Sequence, residues 1–195
     1  MSDVEETDAV NRLKRGDIHG LELLVYRYQH SAFGVAFHIC GDVHTAQDVV
    51  ADAFLAVFDR IDTYDPQRPF VPWFYRIVTN TARAAIRRER RLVHDEAGRL
   101  LEVPSPPHEN PERIGLGHML GDAIATALQA LPDGERAALV LRLYMDMDER
   151  TIAATLGIPV GTVKWRLFRA RRRMRASLRP WCESDLALQE GGTHV

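Results

Sequence analysis

The segment that most constrains the fold lies near the C-terminus, where residues 152–175 read IAATLGIPVGTVKWRLFRARRRMR. The pattern predicts one helix, a tight turn at Gly157 and a second helix rich in arginine. Ala153 is small enough to let two helices cross closely, and the branched Val163 anchors the second helix against the first. This spacing is typical of a helix-turn-helix, which places its second helix in the major groove of DNA.

The charge of the second helix supports the same interpretation. An apolar stripe steps along it by three or four residues, so the basic residues must occupy the other faces. Between residues 164 and 179 there are eight basic residues and no acidic one. A merely solvated face mixes charges, whereas a phosphate backbone favours a purely basic one through counterion release. The residues expected to contact DNA are Thr162, Lys164, Trp165, Arg166, Arg169, Arg172 and Arg173.

Position along the helix separates their expected roles. Side chains near its start reach base edges, and arginine there can bind guanine with two hydrogen bonds. Lys164 and the later arginines are expected to hold phosphates. Trp165 has two interpretations, an exposed ring that stacks or touches a methyl group, or a ring that packs against a partner.

The rest of the chain predicts an all-α fold with two small helical domains. Apolar residues recur at helical spacing over residues 21–40, 45–61 and 69–91, and no segment alternates as a strand does. Four prolines and three glycines between residues 92 and 117 predict a flexible linker. We therefore expect a first domain at residues 1–91, a second at 118–180 that contains the helix-turn-helix, and a flexible tail at 181–195.

The predicted third helix joins aromatic residues at its start to arginines at its end. Aromatic faces can stack on unpaired bases while arginines follow a strand backbone. The aromatic residues also fit an ordinary packing stripe, so both interpretations stay open for them. The candidates for nucleic-acid contact here are Phe70, Trp73, Asn80, Arg83, Arg87 and Arg88.

The predicted second helix carries acidic residues on one flank. Asp48 and Asp52 lie four residues apart, with the apolar Leu55 beside them. The flank is either a solvated face or a docking surface for a basic partner.

Composition excludes several other classes. The formal net charge is −2, and the two cysteines are too few for a disulfide framework. No apolar run is long enough for a membrane span and the acidic N-terminus does not resemble a signal peptide, so we expect a cytoplasmic protein without membrane insertion. His38, Cys40 and His44 are a weak metal alternative, because structural zinc usually takes four ligands. We expect no metal, no cofactor and no enzymatic activity.

Four segments together resemble the bacterial sigma factors of the extracytoplasmic-function type, which keep regions 2 and 4 of the family. They are DVVADAFLAVF at residues 48–58, FVPWFYRIVTNTARAAIRRERR at 70–91, LPDGERAALVLRLYMDM at 131–147 and the helix-turn-helix at 152–175. The order and spacing of all four make the resemblance specific.

The resemblance implies a role for each segment. Residues 48–58 look like the segment that docks on core RNA polymerase. The resemblance therefore implies polymerase-binding residues at Asp48, Asp52, Phe54 and Leu55. Residues 70–91 look like the element that recognises and melts the minus-ten promoter region, and the last helix looks like the reader of the minus-thirty-five element. The implied partners are core RNA polymerase, promoter DNA as duplex and as melted strand, and an anti-sigma factor. The alternative function is a conventional helix-turn-helix regulator with a helical sensing or dimerisation domain.

Overall fold

The computed structural model describes residues 3–96 and 116–190, with side chains described for residues 5–91 and 119–181. Within these residues every regular element is helical, so the predicted all-α class is confirmed. The helices fall into two groups, one on each side of residues 97–115. That segment, the central part of the predicted linker, lies outside the described residues.

The first group packs around its second helix. Its elements are α1 at Asp3–Lys14, α2 at His19–Cys40, α3 at Val43–Arg60, a 3-10 turn at Ile61–Thr63 and α4 at Phe70–Glu96. α2 packs against α1, α3 and α4. Its apolar stripe places Leu24, Val35 and Ile39 fully in the core, as the helical periodicity predicts.

Local chemistry fixes the junction between α2 and α3. Gly41 ends α2 in the left-handed conformation, at φ 83°, and its N–H donates to the carbonyl of Phe37 at 2.7 Å. The carboxylate of Asp42 then caps α3 by accepting the Thr45 N–H at 2.7 Å, which lowers the pKa of Asp42. With Asp42 as its cap, α3 begins at Val43.

The second group contains α5 at Leu116–Gln129, α6 at Asp133–Leu143, α7 at Glu149–Leu156 and α8 at Val160–Glu190. The linker predicted at residues 92–117 is helical at both ends, because α4 continues to Glu96 and α5 begins at Leu116. α8 likewise continues through Pro180 to Glu190, past the domain boundary predicted at residue 180.

The two groups share one core. α2 contacts α5 and α6, and α4 contacts α7. Buried apolar side chains run continuously from Leu24 and Phe74 in the first group to Leu141, Ile152 and Leu167 in the second. The helix-turn-helix is therefore held directly against the arginine-bearing helix α4.

Candidate nucleic-acid interface

α7 and α8 form the predicted helix-turn-helix. The carboxylate of Asp148 caps α7 by accepting the Thr151 N–H at 2.7 Å, and Gly157 ends α7 at φ 65°. The Ile158 N–H donates to the carbonyl of Ala153 at 3.1 Å, which closes the turn. Val163 is fully buried beneath it. The turn predicted at Gly157 and the anchoring of Val163 in the core are confirmed.

The first turns of α8 present a basic surface with an aromatic ring in it. Lys164 is exposed, with its ammonium 3.8 Å from the Glu149 carboxylate of α7. Thr162 is half-buried, and so is Arg166, whose guanidinium lies over Gly134 at the start of α6. Trp165 is 54% exposed, and the guanidinium of Arg169 stands 5.0 Å from its ring centre.

A buried carboxylate orients two of the predicted DNA-contacting arginines. Glu135 of α6 is only 6% exposed. Its Oε1 lies 3.7 Å from Nε of Arg169, and its Oε2 lies 3.2 Å from Nε of Arg173. Both arginines stay partly exposed beyond this pair, and Arg172 is exposed. Sequence reasoning missed Glu135 because an acidic residue in a helix normally indicates a solvent face.

The candidates at the start of α4 divide into core and surface. Phe70 is 2% exposed, and its ring packs against Tyr28, Tyr64 and Phe74 at centroid distances of 5.5 to 5.8 Å. Its ring is therefore unavailable to a base in this structure, because it fills the aromatic core beneath α4. Trp73 is half-buried, and its ring packs against that of Tyr64 with 5.3 Å between the ring centroids.

The polar candidates share one face of α4. Asn80 and Arg87 are exposed, and Arg83 between them is half-buried. Spacings of three and four residues place these side chains together, with Trp73 seven residues before Asn80. Arg83 Nε is buried and finds no hydrogen-bond partner among the described residues. Arg88 is exposed on the neighbouring flank.

The acidic flank of α3 faces solvent beside this helix. Asp48 and Asp52 are exposed, and Leu55 is 62% exposed. The two aspartates line a cleft of about 360 Å³ between α3 and α4, together with Arg88. Phe54, by contrast, is buried with its ring 5.2 Å from that of Phe74, so it supports α3 from below.

Sequence reasoning also missed Phe58, which is 45% exposed and enlarges the apolar patch around Leu55. Phe58 could have been found from its position three residues after Leu55, which places Phe58 on the adjacent side of the same helix.

The weak metal alternative gains no support from the geometry. The Cys40 thiol faces the carbonyl of Ala82 at 4.0 Å, and burial raises its pKa to about 12. In the described ranges, no group of three or more His, Cys, Asp or Glu side chains is placed to hold a metal ion. Of the helices in the same ranges, none combines the length and apolar character needed to span a bilayer.

Comparison with known proteins assigns the two helix groups. The family model of Sigma-70 region 2 matches residues 24–92, and that of Sigma-70, region 4 matches residues 121–174. The RNA polymerase sigma-H factor of Pseudomonas aeruginosa is 32% identical over 183 residues, which cover 90% of this chain and 95% of the relative. The ECF RNA polymerase sigma-E factor of Escherichia coli is 31% identical over 185 residues, covering 88% and 93%.

The chain belongs to the extracytoplasmic-function (ECF) sigma factors.

Solved structures agree with this assignment. CnrH, in complex with the cytosolic domain of CnrY, is 25% identical with a TM-score of 0.68, over 90% of this chain and 98% of that chain. The sigma factor RpoE of Bartonella quintana, in complex with the anti-sigma factor NepR, has the same fold, with a TM-score of 0.65 and 22% identity over 81% and 96% of the two chains.

Membership of this family makes the chain an alternative sigma factor that directs promoter-specific transcription initiation by RNA polymerase. The conventional regulator is not favoured, since the region 2 match takes in α3 and most of α2 and α4.

Proposed function

We propose that this ECF sigma factor docks on core RNA polymerase through α3, opens the minus-ten element along α4 and reads the minus-thirty-five element with α8. The observation that carries the proposal is that one chain presents two separate basic surfaces, one on α4 and one on α8, beside an acidic and apolar flank on α3. A regulator that binds a single duplex operator needs only the α8 surface.

On α4, the exposed polar face is suited to a separated strand. Asn80 offers a donor and an acceptor to a base edge, and Arg83, Arg87 and Arg88 follow the phosphates. Trp73 offers part of its ring for stacking beside Asn80. Capturing an unpaired base offsets the stacking energy that it loses, a few kcal/mol. Phe70 contributes by holding the start of α4 on the core.

On α8, the side chains fit duplex DNA. Lys164, Trp165 and Arg166 lie in the first turns, where the helix enters a major groove, and Thr162 precedes them. The guanidinium of an arginine at this position, Arg166, can bind guanine with two hydrogen bonds. Arg169, Arg172 and Arg173 continue along the helix as phosphate contacts, with Arg169 and Arg173 oriented by Glu135.

On α3, charge and apolar surface occur together. Asp48 and Asp52 attract a basic partner surface, and Leu55 with Phe58 supplies apolar area that the contact would bury. Phe54 holds this helix on the core.

The factor itself carries out no reaction, since the polymerase forms the phosphodiester bonds, and it acts in the cytoplasm where the polymerase is. One of the similar structures contains an anti-sigma factor. An anti-sigma factor is accordingly the regulatory partner that we propose for this chain.

The test is transcription in vitro with core polymerase over a library of promoters from the source genome. We expect transcripts with defined start sites that depend on the added factor. Arg166→Ala should reduce transcription from the same promoters while polymerase association is retained. The proposal fails if the factor yields no specific transcript, or if it binds duplex operators tightly without polymerase.

A further inference from the structure

Trp165 is a large aromatic side chain left exposed within a basic surface. It lies in the second turn of α8 and is 54% exposed, whereas Val163 and Leu167 on either side of it are buried. The ring therefore adds little to the core of the second group. A large apolar side chain held in solvent gains free energy when a partner covers it, and tryptophan is enriched at such contacts.

Two charged side chains fix the orientation of this ring. The guanidinium of Arg169 stands 5.0 Å from the ring centre in a cation–π contact. Nε of Arg169 lies 3.7 Å from Oε1 of Glu135, which is buried. The carboxylate thus holds the arginine, and the arginine holds the ring. Because Trp165 is oriented before a partner arrives, binding loses less conformational entropy.

The surface next to the ring is open toward the start of α8. Helical side chains lean toward the N-terminus of their helix, so we expect the ring of Trp165 to extend over the turn that contains Gly161. Gly161 is exposed, and a Cβ built on it meets no atom within 4 Å. This turn is the part of a recognition helix that enters the major groove. A duplex can therefore approach the ring and the backbone beside it together.

Charge around the ring indicates the class of partner. Lys164 precedes it, Arg172 follows two turns later on the same side, and both are exposed. Residues 164–179 contain no acidic residue. Such a surface attracts a phosphate backbone and repels a basic protein surface. In the major groove, the C5 methyl group of thymine is the apolar group that a side chain can contact. A thymine methyl group is thus the matching partner for an aromatic ring among phosphate-binding side chains.

We propose that Trp165 sets promoter specificity by contacting the C5 methyl group of one thymine in the minus-thirty-five element, with Arg169 and Glu135 as the residues that position its ring. The inference rests on the proposed function, in which α8 enters the major groove of that element. It adds a preference at one base pair that the arginines do not supply, because guanidinium groups bind guanine or phosphate.

Replacement of thymine by deoxyuridine tests this contact, because deoxyuridine keeps the hydrogen-bonding groups of thymine and lacks only the methyl group. The experiment uses holoenzyme assembled from core polymerase and this chain, on a promoter from which the factor initiates. Each thymine of the minus-thirty-five element is replaced singly, on either strand, and the affinity of the holoenzyme is measured by competition. At the contacted position we expect a loss of about fourfold, which corresponds to about 0.8 kcal/mol for one methyl-sized group.

Three variants assign the effect to the ring and to its support. Trp165→Ser should abolish the difference between thymine and deoxyuridine at that position. Leu143→Ser is the matched control, because it removes an apolar side chain that is 71% exposed at the end of α6, and it should keep the full difference. Glu135→Gln removes the charge that holds Arg169 and should lower the difference without abolishing it. Circular dichroism checks that each variant is folded.

A natural holoenzyme that binds every deoxyuridine promoter as tightly as the unmodified one overturns the proposal. A Trp165→Ser holoenzyme that keeps the fourfold difference also overturns it, and weakened association of that variant with core polymerase would then assign the ring to a polymerase contact. A full difference in Glu135→Gln removes the positioning role of the carboxylate.

Unmodified promoter DNA separates this failure from failure of the proposed function. If the natural factor directs initiation there but shows no thymine preference, only the contact of Trp165 is contradicted. If no factor-dependent transcript appears on unmodified DNA, the proposed function itself is contradicted.

Discussion

Glu135 illustrates how a single buried side chain orients arginines on the surface that we propose for duplex DNA. Its carboxylate is 6% exposed and stands between Arg169 and Arg173 of α8. Burying a carboxylate is unfavourable unless charge partners and donors surround it, and these two arginines are the partners here. Helix α8 is thereby fixed to α6 by charge as well as by its apolar stripe.

Glu135→Gln tests this role. The amide keeps the shape of the side chain but loses the charge that attracts both arginines. Since the arginines are half-exposed, we expect the free energy of unfolding to fall by about 1–2 kcal/mol, less than for a fully buried pair. Urea denaturation measures it. Glu149→Gln, which removes the exposed partner of Lys164, is the control and should cost less than about 0.5 kcal/mol. Equal effects for both variants would refute the special role of Glu135.

Phe70 is the converse case. The sequence pattern predicted that its ring contacts DNA, but the side chain lies in the core. Phe70→Ala should lower the free energy of unfolding by about 3–5 kcal/mol, since it leaves a cavity among Tyr28, Tyr64 and Phe74. Phe70→Leu keeps most of the volume and should retain minus-ten activity in transcription assays. A stable Phe70→Leu protein that no longer opens promoters would show instead that the ring contacts DNA.

At the scale of helices, the sequence was a good guide where local patterns decide the outcome. Helical periodicity located α2, α3 and α4 to within a few residues, and Gly157 marked the turn of the helix-turn-helix. Periodicity left open whether the aromatic residues at the start of α4 pack in the core or stack on bases, and Phe70 was named a DNA contact; Phe54 was placed on the docking surface by the family resemblance. The contacts of Glu135 with Arg169 and Arg173 join residues that no local pattern connects, and only the packed structure brings them together.

The α3 surface yields a prediction at this scale. Asp52→Arg reverses a charge on the proposed docking flank, where the basic partner surface would then be repelled. We expect association with core polymerase, measured by fluorescence anisotropy, to weaken by about tenfold or more, equivalent to about 1.4 kcal/mol. Glu22→Arg makes the same charge change on the exposed side of α2 and should leave association unchanged. Unaltered binding by Asp52→Arg would remove this residue from the docking surface.

At the scale of the whole molecule, the packing of the two groups makes stability depend on pH. The imidazole of His38 lies between the rings of Phe37 and Tyr144, and burial lowers its pKa below the ordinary value of 6.5. The folded state therefore favours the neutral ring. The contribution of the neutral His38 ring to the free energy of unfolding is complete above pH 6.5. It is lost as the pH falls from that value through the lowered pKa of the folded state.

His38→Gln isolates this contribution from that of the other histidines. Between about pH 7.5 and about pH 5.5, we expect the free energy of unfolding to fall more for the natural sequence than for the variant. Denaturation at several pH values measures the difference. Parallel pH profiles for the two proteins would mean that His38 does not titrate differently on folding.

In the proposed function, one chain bound to polymerase holds two distinct promoter elements, one melted and one duplex. Permanganate reactivity combined with nuclease footprinting on one promoter tests it most directly. We expect permanganate-reactive thymines at the minus-ten element and nuclease protection at the minus-thirty-five element, both requiring polymerase and factor together. Protection of a single duplex site by the factor alone, without unpaired thymines when polymerase is added, would contradict it.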